Sequence, residues 1–263
     1  MNPIAGILLI ALGSIGAASF YVPFKKVKSW AWESYWISQG LFAWIIIPWL
    51  FAIIFIPRGE LMPIIREAPS QAKLMAVFFG ILWGFGGLTF GLSIRYLGVA
   101  LGQSIALGLC AAFGTLIPPI VAGENLFGST AGILTMAGVA VIVAGIAIIG
   151  YAGSLKSQNM SEEEKKAAVK EFALKKGILI AIFAGVMSAC FNFGFEAGKP
   201  IENVALAHGT NPLFQKNTSL IFILLGGFIT NLIYCVFLNI RNKTYTDYYS
   251  GSGSLILNNL FFT

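Results

Sequence analysis

Apolar residues gather in seven runs, near 3–24, 34–56, 74–95, 98–121, 131–152, 177–198 and 218–240, and an eighth starts at 253. Each of the seven holds about 20 residues, the length a helix needs to cross a hydrocarbon core of roughly 30 Å. Runs this long predict helices rather than strands, and so an all-α integral membrane protein. Within the third run glycine adds a second pattern. Gly80, Gly84, Gly87 and Gly91 recur at spacings of three and four, which puts them on one helical face. Such a stripe lets another helix approach backbone to backbone. Arg95 continues it one turn on and is expected to face protein rather than lipid.

The longest polar stretch, 153–176, contains SEEEKKAAVKEFALKKG. Ser161 with Glu164 three residues later forms a capping box, and Glu162/Lys166 and Glu171/Lys175 are i,i+4 pairs, so a short charged helix is expected there. Basic residues are unevenly shared among the connections. Twelve follow spans 1, 3, 5 and 7, and five follow spans 2, 4 and 6. The positive-inside rule then puts the first set in the cytoplasm and the N-terminus outside. The first run is read as a retained span rather than a signal peptide, because its lysines follow it instead of preceding it.

Composition agrees with the pattern: 57% of residues are hydrophobic, 11% are charged and the mean hydropathy is +0.81. The net charge of +6 does not point to nucleic acid, because the lysines stand at span ends as orientation anchors. Cys110, Cys190 and Cys235 each fall inside an apolar run, an odd set that argues against a disulfide framework. His208 is the single histidine, which excludes a multi-histidine metal site. GFGGLT at 84–89 lacks the preceding strand and third glycine of a dinucleotide site. No phosphate-binding lysine loop is present, and no cofactor is expected.

The two halves resemble one another. AASFYVPFKKV at 17–27 aligns with SACFNFGFEAG at 188–198, pairing Ala18 with Ala189, Phe20 with Phe191 and Phe24 with Phe195. Residues 1–152 form a first five-helix repeat, 153–176 a cytoplasmic linker, and 177–263 the second repeat. Five spans is an odd number, so the second copy enters the membrane inverted, an arrangement typical of secondary transporters. VFFG at 77–80 lines up with LFFT at 260–263, so the chain is expected to stop early in its eighth span, within the second repeat.

FYVPFKKVKSWAWE at 20–33, WGFGGLTFGLSIRYLG at 83–98 and EAGKP at 196–200 resemble the L-rhamnose–proton symporters of the drug/metabolite transporter superfamily. The resemblance runs from about residue 3 to the end of the chain. It implies a ten-helix fold of inverted five-helix repeats and proton-driven uptake of a 6-deoxy sugar across the inner membrane. About the last two and a half spans of the family pattern are expected to lie beyond this sequence. The implied partners are a sugar, protons and the lipid bilayer.

A sugar site in a membrane needs a few fixed polar groups and aromatic surface near mid-span. Trp83, Thr89, Ser188, Asn192, Thr230 and Asn231 meet that description, with Gln103 further out. For Thr89, Ser188 and Thr230 the alternative is a hydrogen bond to a neighbouring helix. Trp83, Gln103, Asn192 and Asn231 are the sugar-binding candidates. Of eleven acidic residues only Glu196 lies well inside an apolar run, which nominates it as the proton carrier. Ser188, Asn192, Glu196 and Lys199 form one polar stripe, so an ion pair with Lys199 is the competing role. Glu33 is the second proton candidate, and Arg95 is the candidate gate at the cytoplasmic end. The runner-up functions are transport of another small metabolite and a non-transporting membrane subunit. One histidine and one intramembrane carboxylate leave little for an enzyme.

Overall fold

The computed structural model describes residues 3–19, 22–123, 125–159 and 173–263. Among the described residues every regular element is helical. These are α1 (Pro3–Ser19), α2 (Trp32–Gly40), α3 (Ile47–Phe55), α4 (Leu61–Glu67), α5 (Ser70–Leu97), α6 (Val99–Val121), α7 (Thr130–Asn159), α8 (Leu174–Ala207), α9 (Lys216–Asn242) and α10 (Gly253–Phe261). Six are long and apolar enough to cross a membrane, counting α2 and α3 as the single run Trp32–Phe55.

The first expected span is shorter than predicted. Helix α1 has 17 residues and ends at Ser19, and Pro23 opens a 3₁₀ turn over Pro23–Lys26. Seventeen residues is the lower limit for a crossing. Ile7, Leu8, Ile10, Leu12 and Ile15 on α1 are all well over half exposed, as side chains directed at lipid would be. The turn at 23–26 also departs from its counterpart in the proposed repeat, because residues 194–197 lie within α8. The capping box at Ser161 and Glu164 and the Glu162/Lys166 and Glu171/Lys175 pairs lie outside the described residues.

Between α2 and α3 the backbone widens into a turn of π-helix, Leu41–Ile46. Pro48 explains the position. It has no N–H to donate, and its ring would crowd the carbonyl four residues back. The α-helix therefore restarts with Pro48 in its first turn, where a missing donor costs nothing.

The chain divides into two compact units, Met1–Phe42 with Leu232–Thr263, and Ala43–Asn231. In the first, Asp247 covers the start of α2: its Oδ2 accepts from the Ala31 N–H at 2.8 Å and from Ser34 Oγ at 2.7 Å. A carboxylate there complements the positive end of the helix dipole. Asn259, fully buried, accepts from the Lys28 N–H at 3.0 Å and donates to the Lys28 carbonyl at 2.8 Å.

In the second unit α5 packs on α6 and α8, and α6 on α7 and α8. Glycine sets the closest approaches, but the four-residue stripe divides. A β-carbon at Gly80 would lie 2.0 Å from the Ile223 carbonyl oxygen, and one at Gly84 would lie 2.7 Å from Thr230 Cβ. At Gly87 and Gly91 a β-carbon would meet nothing within 4 Å. Gly86, outside the stripe, meets α8 instead, where a β-carbon would lie 2.6 Å from the Ser188 nitrogen. The stripe as predicted is thus a packing face only at its first half. Arg95 does not extend it, being exposed in the last turn of α5.

Candidate functional site

The sugar candidates scatter, and two of them converge. Trp83 on α5 and Asn192 on α8 line one cavity of about 300 Å³ with Gly87, Phe90, Cys110, Ser188 and Phe191. That volume is at the small end of the range of ligand pockets, roughly 300–1,000 Å³. The Trp83 ring is half-buried. It lies 5.9 Å from the Trp44 ring and 5.0 Å from that of Phe191, which in turn lies 5.2 Å from Phe195. Gly227 on α9 leaves room for the indole, since a β-carbon there would stand 2.4 Å from Trp83 Cζ3. Gly114 on α6 does the same for the Asn192 amide, with 2.5 Å to its Nδ2. The arrangement offers aromatic surface for the C–H faces of a ring and one amide and one hydroxyl for its polar edge.

The other candidates stand apart from this cavity. Gln103 is exposed on α6. Asn231 is 3% exposed and donates to the Gly227 carbonyl of its own helix at 2.8 Å. Thr230 Oγ1 donates to the Ile81 carbonyl of α5 at 3.0 Å, the neighbouring-helix bond weighed above, whereas Thr89 Oγ1 donates to the Phe85 carbonyl of its own helix at 2.7 Å.

Glu196 borders a second cavity, about 370 Å³, with Phe79, Pro118 and Phe193, and its carboxylate accepts from Lys199 Nζ. Glu33, 5% exposed at the start of α2, accepts at Oε1 from Asn242 Nδ2 at 2.9 Å and Thr244 Oγ1 at 2.8 Å. The sequence reading passed over Glu202. It is 5% exposed inside α8, although it stands beyond the apolar run 177–198 that predicted the span. A signal existed: Gly194, Gly198 and Glu202 are spaced by four, so a carboxyl continues a close-packing stripe.

Just past α8, His208 joins two segments. Its Nδ1 is 2.6 Å from Glu60 Oε2 and its Nε2 is 2.8 Å from Glu67 Oε2. Hydrogen bonds to Glu67 and then Glu60 hold the imidazole above its usual range.

Six helices long and apolar enough to cross a membrane make this an integral membrane protein. Over residues 2–263 the chain belongs to the family described as L-rhamnose-proton symport protein (RhaT). It is 37% identical over 265 residues to the L-rhamnose-proton symporter of Yersinia pestis bv. Antiqua (strain Antiqua), covering 99% of this chain and 75% of that protein. The symporters of Yersinia pestis (strain Pestoides F) and Yersinia pseudotuberculosis serotype O:1b (strain IP 31758) give the same identity and coverage. No solved structure matches the chain. A family of symporters sets aside the enzyme reading.

Proposed function

We infer that this chain moves L-rhamnose together with protons across the inner membrane. One observation carries the reading: the family match spans the chain, and within it lies a sugar-sized cavity walled by Trp83 and Phe191 and edged by Asn192 and Ser188. L-rhamnose has an apolar 6-methyl group and C–H faces for the aromatic wall, and hydroxyls for the amide and serine. Trp83 and Asn192 are the direct sugar contacts in this reading, while Asn231 holds α9 where Gly227 admits the indole. Gln103 and Arg95 serve at the ends of the pathway, Arg95 as the cytoplasmic gate. Glu196 and Glu33 are the carboxylates the sequence nominates for the proton.

The wider arrangement belongs to the same proposal. It comprises inverted five-helix repeats of a ten-helix plan, the first over 1–152 and the second from 177, a cytoplasmic 153–176 linker, and an external N-terminus. The test is uptake of labelled L-rhamnose by the full-length protein in proteoliposomes. An inward proton gradient should drive accumulation, and added rhamnose should draw protons in. Uptake indifferent to the gradient, or no rhamnose uptake at all, overturns the reading.

A further inference from the structure

Glu202 stands four residues after Gly198 and eight after Gly194, on the face of α8 that meets α9. The backbones come close there. A β-carbon at Gly198 would lie 2.6 Å from Ser219 Cβ, and one at Gly194 would lie 2.9 Å from Ile223 Cγ1. This approach brings Ser219, fully buried, against the carboxyl: Ser219 Oγ is 2.7 Å from Glu202 Oε1 and 3.1 Å from the Lys216 carbonyl oxygen.

A serine hydroxyl carries one proton and two lone pairs, so it donates well to one of these oxygens at a time. Two patterns therefore fit the same heavy atoms. With Glu202 ionised, Ser219 O–H points at Oε1. With Glu202 protonated, the carboxyl O–H points at Ser219 Oγ, and the serine proton turns to the Lys216 carbonyl. Both forms are hydrogen-bonded without movement of either helix.

The other two candidates lack this symmetry. Glu196 faces a lysine ammonium, which only donates. Glu33 Oε1 has a hydroxyl partner in Thr244, but it also accepts from the Asn242 amide N–H, which only donates, so a proton added at that oxygen would cost the Asn242 bond. The charged groups on elements packed near Glu202 are engaged elsewhere. Lys199 is on Glu196, and Lys216 Nζ lies 5.2 Å from the centre of the Phe195 ring. Lys73 donates to the Ile65 carbonyl at 2.9 Å, Glu60 and Glu67 hold His208, and Arg58 and Arg66 are exposed. Among the described residues Glu202 has no basic partner.

We propose that Glu202 is the carboxyl that takes up and releases the coupled proton, with Ser219 as the positioning residue that serves both of its forms. The proposal rests on the proton-coupled reading above. On loading, a proton from water bonds to Oε1 and the serine proton swings to the Lys216 carbonyl. On unloading, the Oε1–H bond breaks, the proton returns to water, and Ser219 donates to the carboxylate again.

The experiment uses the full-length protein in proteoliposomes and measures three quantities: rhamnose exchange without a gradient, rhamnose-driven proton entry, and the pH midpoint of exchange. Glu202→Gln should keep exchange within about twofold of wild type, lose proton entry more than tenfold and flatten the pH profile. Ser219→Ala removes the donor to the charged form, the stronger of the two bonds. Its midpoint should therefore move, whereas a purely structural serine would change yield and leave the midpoint in place. If Glu202→Gln gives no folded protein, the Ser219→Ala midpoint decides alone, and an unmoved midpoint overturns the proposal. Gradient-driven accumulation by Glu202→Gln with the wild-type pH profile also overturns it. Absence of rhamnose-linked proton entry in the wild type is a different failure, that of the transport reading itself.

Discussion

Replacing Gly80 by alanine tests the central helix contact. Its β-carbon would lie 2.0 Å from the Ile223 carbonyl oxygen, whereas an ordinary C···O contact is about 3.3 Å. The obstacle is backbone, so no rotamer change relieves it, and α5 and α9 must part by about 1.3 Å, the difference between those two distances. Gaps of that order forfeit a quarter to a half of the dispersion energy of each contact. Overpacking of this kind costs about 1–3 kcal/mol, and a backbone clash belongs at the upper end. Alanine recovers about 1 kcal/mol of helix propensity over glycine, leaving a net loss of roughly 2 kcal/mol. Gly91→Ala is the control, because nothing lies within 4 Å of its β-carbon. It should gain about 1 kcal/mol or be neutral. At roughly 2–4 °C per kcal/mol, Gly80→Ala should lower Tm by about 4–8 °C while Gly91→Ala leaves it level or slightly higher. Thermal unfolding of the purified full-length protein in detergent, read as loss of the monodisperse peak, measures both. Gly226→Ala repeats the clash from the other side, at 2.1 Å from the Val77 carbonyl oxygen. Once one methyl has parted the helices the second has room, so the double variant should fall short of the sum of the singles. Equal Tm values for Gly80→Ala and Gly91→Ala, or strict additivity with Gly226→Ala, would refute the reasoning.

Two further outcomes follow from the site and its surroundings. Trp83→Ala removes ring contacts of the kind worth about 0.5–1.5 kcal/mol each, so KM for L-rhamnose should rise roughly tenfold, with uptake still proton-dependent. A variant with normal KM but lost coupling would take Trp83 out of the sugar site. His208 carries the raised pKa, so the stability it contributes is fully present below about pH 6.5, the unfolded value, and is lost as pH rises through the folded value. The Tm gap between wild type and His208→Gln should therefore be widest between about pH 5 and 6.5 and should close on the alkaline side. A gap that widens with pH contradicts the bridge to Glu60 and Glu67.

Periodicity and length were enough, in the sequence alone, to establish a helical membrane protein, because an apolar run of about 20 residues has few other stable fates in lipid. Short motifs at 20–33, 83–98 and 196–200 were enough to indicate the family, and the family match bears that out. Span ends were less legible. The first expected span gave a 17-residue helix followed by a 3₁₀ turn that Pro23 opens, and α8 runs through Pro200 past its apolar stretch to Ala207.

What the one-dimensional pattern could not decide was which residues meet. Gly80 and Gly87 look alike in sequence, yet one touches the Ile223 carbonyl and the other lines a cavity, because α9 covers only part of the α5 face. Trp83 and Asn192 are 109 positions apart and share a cavity, while Gln103 and Asn231, equally plausible by composition, do not border it. Glu196 lies inside an apolar run and is paired with Lys199, whereas Glu202 lies outside that run and is buried. Hydropathy averages over every side of a helix, while burial depends on the one side a neighbour covers. That side was set by where Gly194 and Gly198 let α9 come near, and only the tertiary structure could say so.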